Sequence, residues 1–191
     1  MNAQHLKLCS SAEWDEGIRT RLMPWVARQP SLGDAVLEVG PGPGLTTDQL
    51  RLLVPHLTAV EADATLAAQL AARLAGTNTT VVHADATSLP FDDRQFSGAA
   101  SFFMLHHVPS PALQDQLFAQ LARVLQPGGV LLAVDSLDSP PFRDLHDGDI
   151  CVPLDPATIA QRLEQAGFVE VDVTIEGPLC VVARTPGTVG R

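Results

Sequence analysis

The stretch VLEVGPGPGLTT, residues 36–47, places glycine at 40, 42 and 44 with proline between them. Glycine lets the main chain take positive φ and lets a ligand approach without meeting a Cβ. An apolar run precedes the turn and a segment of helical character follows it, the order a nucleotide site requires. The spacing departs from the dinucleotide fingerprint G-x-G-x-x-G: counted from Gly40, the third glycine would fall at Leu45. Pro41 and Pro43 also supply no N–H, whereas a pyrophosphate is held by several amides. The turn therefore suits a nucleoside with less anionic charge than a dinucleotide.

Further polar residues fall at the ends of apolar runs. Glu61 lies twenty-one residues past Gly40 and can accept hydrogen bonds from both hydroxyls of a ribose. Asp85, in HADATSLPF, is either an acceptor for the exocyclic amine of adenine or an Asx-type cap of the following turn. His106 and His107 are adjacent, so on a helix or strand they point in different directions and at most one faces a common site. Imidazole titrates near neutral pH, which makes either a candidate general base, with a structural or solvent-facing role as the alternative. The HDGD segment offers His146, Asp147 and Asp149, but no supporting ligand pair is evident there and no metal is expected. Cys9, Cys151 and Cys180 are odd in number and widely spaced, which argues against a disulfide framework or a zinc knuckle.

These residues need a scaffold. Trp14, Ile18, Leu22, Trp25 and Val26 recur at helical spacing over residues 12–28, with Pro24 a point of kinking or division. From residue 35 strands and helices alternate. Strands are expected at AVLEV, LTAVE, TVVHA, FSGAASFFM and VLLAVDS. Helices are expected at LTTDQLRLLV, at DATLAAQLAARLAG with Asp63 as N-cap, and from Ser110-Pro111 to about Leu125. Residues 137–153 read as a long polar loop, Asp155-Pro156 as a helix start, and FVEVDVTIEGPLCVVART as two strands joined at EGP. Such alternation implies right-handed crossovers and a parallel sheet made mixed by the final hairpin. Ligands of open sheets of this kind sit beyond the carboxyl ends of the strands, which is where the residues above fall. The expected organisation is a helical cap segment over residues 1–30, one cofactor-binding domain over 31–185 and a tail over 186–191.

The 191 residues carry a formal charge of −10, and Lys7 is the only lysine. No basic cluster occurs, which argues against a nucleic-acid partner. No apolar run is long enough to span a bilayer and no signal peptide is visible, so a cytoplasmic setting is the default expectation.

Taken in order, VLEVGPGPG, AVEAD, HADATSLPF, FFMLHHV and RVLQPGGVLLAVDS resemble the motifs of the class I S-adenosylmethionine-dependent methyltransferases, over roughly residues 35–185. The resemblance implies a Rossmann-like α/β three-layer sandwich with a seven-stranded, mostly parallel sheet and a C-terminal antiparallel hairpin. It implies cofactor contacts from Glu38, Gly40, Gly42, Gly44, Glu61, Asp85, Ala86 and Phe102. Ala62 stands where the family often has a larger apolar residue against adenine. S-adenosylmethionine has no phosphate, which fits a turn poor in amides. The first half of the chain resembles the ribosomal RNA adenine dimethylases, but the Asn-Pro-aromatic motif they carry after strand four is replaced here by SFFMLHHV. From residue 80 onward the chain is more similar to the ubiquinone and menaquinone methyltransferases. The expectation is a small, partly apolar acceptor near Trp14, Phe103, Met104, His106 and His107, methylated by in-line displacement. An RNA methyltransferase, a nicotinamide oxidoreductase and a non-catalytic cofactor binder are the competing readings. The sequence leaves the oligomeric state open.

Overall fold

The computed structural model describes residues 2–187, so the end of the expected tail, residues 188–191, lies outside the described residues. The chain begins with α1 (Ala3–Cys9), α2 (Ala12–Gly17), a π-helical turn (Ile18–Leu22) and α3 (Met23–Val26). There follow β1 (Ala35–Val39), α4 (Leu45–Leu50), β2 (His56–Glu61), α5 (Ala64–Arg73), β3 (Thr79–His83) and β4 (Phe96–Phe102). The remainder is α6 (Pro111–Val124), β5 (Leu125–Asp135), α7 (Pro140–Leu145), α8 (Ile159–Gln165), β6 (Val169–Ile175) and β7 (Leu179–Arg184). Short 3₁₀ turns at Ala86–Ser88 and Leu105–His107 follow β3 and β4.

The strands form one seven-stranded sheet of order β3-β2-β1-β4-β5-β7-β6. Pairs β1–β2, β1–β4, β2–β3 and β4–β5 are parallel, while β7 runs antiparallel to both β5 and β6. The order reverses between β1 and β4, whose carboxyl ends border the crevice where a doubly wound sheet takes its ligand.

Side chains alternate across the sheet and build a core on each face. Leu37, Val39, Ala99, Leu131 and Val181 pack against Leu117, Phe118 and Leu121 of α6 and Ile159 and Leu163 of α8. Val36, Ala100, Leu132 and Val134 pack against Leu50 of α4 and against Ile18, Leu22, Trp25 and Val26. The N-terminal helical segment thus shares the core of the sheet it covers. Pro24 does not break that segment: Met23 N–H bonds to Ile18 C=O, a π-type step that widens the helix just ahead of the proline.

Local capping explains the helix starts that frame the site. Asp63 accepts from Thr65 and Leu66 N–H at 2.8 and 2.9 Å and fixes the start of α5. Ser110 accepts from Leu113 N–H, with Pro111 in the first turn of α6.

Three expectations need correction. Residues 137–153 are not all loop: Ser139 caps α7 through Phe142 N–H. The last helix starts at Ile159 because Asp155 first closes a turn onto Ala157 N–H. Also unforeseen was α1, capped by Asn2, whose side chain accepts from His5 N–H at 2.8 Å. All three cysteines are free thiols. Among the described residues no helix is long and apolar enough to cross a membrane.

Candidate active site

The turn between β1 and α4 takes the conformation its glycines permit: φ is +70° at Gly40, +54° at Gly42 and +89° at Gly44. Two of these positions also tolerate no side chain. A Cβ on Gly40 would collide with Met104, and one on Gly44 with Leu70. Every glycine N–H of the turn is already used within the protein. Gly40 donates to Val60 C=O at 2.9 Å, Gly42 to Glu61 Oε2 at 2.9 Å and Gly44 to Pro41 C=O at 3.0 Å. With two prolines between them, the turn presents no free glycine amide to a pyrophosphate.

Glu61 closes β2 directly beneath this turn and is 8% exposed. Its Oε1 accepts from Asp63 N–H at 2.9 Å and its Oε2 from Gly42 N–H. Two main-chain bonds therefore hold the carboxylate in one orientation, and each oxygen retains a second acceptor site for a sugar hydroxyl. Asp85 Oδ1 accepts from both Thr87 N–H and Thr87 Oγ1–H at 2.8 Å, the Asx-type cap, which leaves Oδ2 as its remaining acceptor. Glu38 lies behind the turn, 1% exposed, where its Oε1 accepts from Thr46 Oγ1–H at 2.5 Å and its Oε2 has no partner. Burial pushes the Glu38 carboxyl up to about 7, against the opposing pull of Thr46 and Thr47.

A single cavity of about 620 Å³ opens over these strand ends. Its lining includes Gly40, Gly42, Glu61, Ala62, Asp85 and Ala86 together with Trp14, Phe102, Phe103, Met104 and His107. Phe103 adopts φ +55°, a left-handed conformation rare for a bulky residue and typical of functional turns. Its ring meets Trp14 edge to face, centroids 5.0 Å apart. The roof includes His5, Leu6 and Cys9 of α1.

Four histidines cluster beside the cavity, and two of them, His5 and His107, line it. His5 comes from α1, His106 and His107 from the turn after β4, and His146 from the end of α7. His106 Nδ1 bonds Asp135 Oδ1 at 2.5 Å, His146 Nδ1 bonds Phe142 C=O at 2.6 Å, and His107 Nδ1 bonds Ile150 C=O at 3.2 Å. Burial, reinforced by the neighbouring imidazoles, pushes His107 down to about 3 and His5 down to about 4. His107 is thus neutral at physiological pH but a weak proton acceptor.

A family model described as a methyltransferase domain matches residues 36–129. A demethylmenaquinone methyltransferase of Clavibacter sepedonicus is 33% identical over 113 residues, 59% of this chain and 44% of that protein. A ribosomal RNA small subunit methyltransferase A of Nitrosococcus oceani is 40% identical over 80 residues, 42% of this chain and 29% of that protein. The chain spans about half the length of the first curated relatives it matches. Among solved structures, a SAM-dependent methyltransferase from Aquifex aeolicus superposes with a TM-score of 0.76 at 18% identity, covering 96% of this chain and 98% of that one, which establishes the fold.

Residues 36–129 belong to the methyltransferase-domain family, and the fold is that of the solved methyltransferases. One solved neighbour, a phosphoethanolamine N-methyltransferase of Haemonchus contortus 14% identical to this chain, is in complex with S-adenosyl-L-methionine. Of the residues the sequence marks for it, Gly40, Gly42, Glu61, Ala62, Asp85, Ala86 and Phe102 line the cavity of the methyltransferase domain. Gly44 starts α4 and Glu38 lies buried behind the turn, so the cavity wall includes neither. Trp14, Phe103, Met104 and His107 line the same cavity, whereas His106 is 1% exposed and turned to Asp135. Sequence reasoning missed the contribution of α1, whose one signal was Asn2 ahead of a short helical run. It also missed Asp135 as the residue that orients His106.

Proposed function

We propose that this methyltransferase transfers the S-adenosylmethionine methyl group to a small, partly apolar acceptor by in-line displacement. The supporting observation is a shared cavity: the glycine turn, Glu61 and Asp85 line it together with the apolar side chains of Trp14, Phe103 and Met104. Glu61 would hold the ribose hydroxyls of the cofactor and Asp85 Oδ2 its adenine amine. A lone pair or carbanion of the acceptor attacks the methyl carbon; the S–CH₃ electron pair returns to sulfur, which leaves as a neutral thioether. The leaving group is already activated, so most of the rate comes from holding donor and acceptor about 3–3.5 Å apart in line. Two imidazoles, His5 and His107, lie on the cavity wall.

A small acceptor fits the charge of −10, which opposes a phosphate backbone, and the similarity to a demethylmenaquinone methyltransferase. Similarity to a ribosomal RNA methyltransferase over 80 residues supports the rival reading. Three free thiols fit a reducing, cytoplasmic setting. Incubation with methyl-labelled cofactor, a panel of hydroxylated naphthoquinols and phenols, and ribosomal RNA separates the readings. Label in the organic-extractable products is expected; label in RNA alone overturns the proposal.

A further inference from the structure

The geometry points to a transition-metal site beside the cavity, in which His5, His106, His107 and His146 together hold one divalent ion of the zinc type. Four of the six histidines of the chain converge there from three separate segments, one ligand atom from each, all within 4.8 Å of one another. Tetrahedral coordination with Zn–N bonds of 2.0–2.1 Å sets the nitrogens about 3.3 Å apart, so the rings need only draw in by on the order of 1 Å.

The hydrogen bonds fix which nitrogens are available. Asp135, Phe142 C=O and Ile150 C=O can only accept, so His106, His146 and His107 each carry the proton on Nδ1 and keep the Nε2 lone pair. His106 Nε2, His146 Nε2 and His5 Nδ1 are buried with no hydrogen-bond partner, in residues only 1%, 3% and 5% exposed. Buried polar atoms are ordinarily paired, and an orphan of this kind calls for a ligand. Lone pairs gathered without a donor repel one another; a cation turns that repulsion into attraction. Asp135 is held in turn by His106 N–H at 3.1 Å and Ser136 N–H at 2.7 Å, the carboxylate–histidine arrangement that supports metal-bound imidazoles. An all-nitrogen donor set selects zinc and its first-row neighbours over magnesium or calcium, which take oxygen.

Four protein ligands make this a closed, structural site. Bound there, the ion ties α1 and α7 to the end of β4 and fixes the roof of the cavity. The site rests on the rings alone, and failure of the methyl-transfer proposal leaves it standing.

The test uses the untagged full chain, stripped with a chelator and titrated with zinc sulfate against a chromophoric competitor. One zinc per chain and a rise in melting temperature are expected, with the visible spectrum of tetrahedral cobalt when Co²⁺ replaces zinc. His146→Gln and His5→Gln should each weaken zinc by more than the roughly 10–100-fold that a lost supporting partner costs, and each should melt like the stripped wild type. His56→Gln, at an exposed position outside the cluster, should bind zinc like the wild type. No stoichiometric zinc in the wild type, or equal zinc binding by the His146 and His5 variants, overturns the proposal; a water shared among the rings is then their partner.

Discussion

Replacing Glu61 by alanine tests the cofactor assignment most directly. The carboxylate meets two main-chain donors, Gly42 N–H and Asp63 N–H, each at 2.9 Å, and retains two acceptor sites toward the cavity. Hydrogen bonds to a charged acceptor contribute roughly 1.5–3 kcal/mol. S-adenosylhomocysteine should therefore bind the Glu61→Ala variant about 10- to 100-fold more weakly. The change also strands the two amides, so a fall in melting temperature is expected alongside. Calorimetric titration with adenine separates the two effects, because adenine lacks the sugar. A carboxylate that reads the ribose leaves adenine affinity within about twofold, since the lost hydrogen bonds belong to the hydroxyls. Unchanged affinity for S-adenosylhomocysteine in a folded variant would refute the ribose assignment. An equal loss for adenine and for the nucleoside would show that Glu61 only props the turn.

Gly40→Ala should destabilise the protein by about 1–3 kcal/mol and abolish cofactor binding, because φ is +70° and the new Cβ meets Met104; thermal melts and titration check this. Trp14→Ala removes an edge-to-face pair of the kind that contributes about 0.5–1.5 kcal/mol. It should raise the KM for an apolar acceptor about 2- to 10-fold while leaving the S-adenosylhomocysteine Kd unchanged in steady-state kinetics and titration. Glu38 has a folded-state pKa raised by burial from 4.5 to about 7, so its neutral form is the stabilising one. Its contribution is complete below pH 4.5 and is lost as pH rises through about 7, a decline of about 3 kcal/mol. Denaturant melts across that range should show this decline in the ligand-free protein and a flatter profile in Glu38→Gln.

The glycine turn was legible because its determinants are local. Gly40, Gly42 and Gly44 advertise positive φ within five residues, and Glu61 and Asp85 mark strand ends by interrupting apolar runs. That the sheet is parallel apart from its final hairpin followed from the alternation of strands and helices, whereas the strand order, with β7 between β5 and β6, was not read from the sequence. The element boundaries were less legible where one signal has two outcomes. Ser139-Pro140 carries the same cap-and-proline signature as Ser110-Pro111, but the short α7 it opens lies amid polar residues with no helical period to extend it. Asp155-Pro156 has that signature too, and there the side chain closes a turn ahead of the helix.

The histidine cluster was hidden for a different reason. His5 and His146 are 141 positions apart, and neither lies on a motif that names the other. HDGD drew attention to its own acidic neighbours, but Asp149 is engaged by Asn2 N–H at 2.8 Å and Ile150 N–H at 2.9 Å, and Asp147 is not part of the cluster. What brings the rings together is tertiary. The Asn2 side chain caps α1 and reaches Leu145 C=O at 2.9 Å, and that bond docks the helix bearing His5 against the end of α7 bearing His146. A local pattern can specify a turn that admits a nucleoside. Four lone pairs converging on one point require the whole chain to fold first, and so a linear reading sees that cluster least.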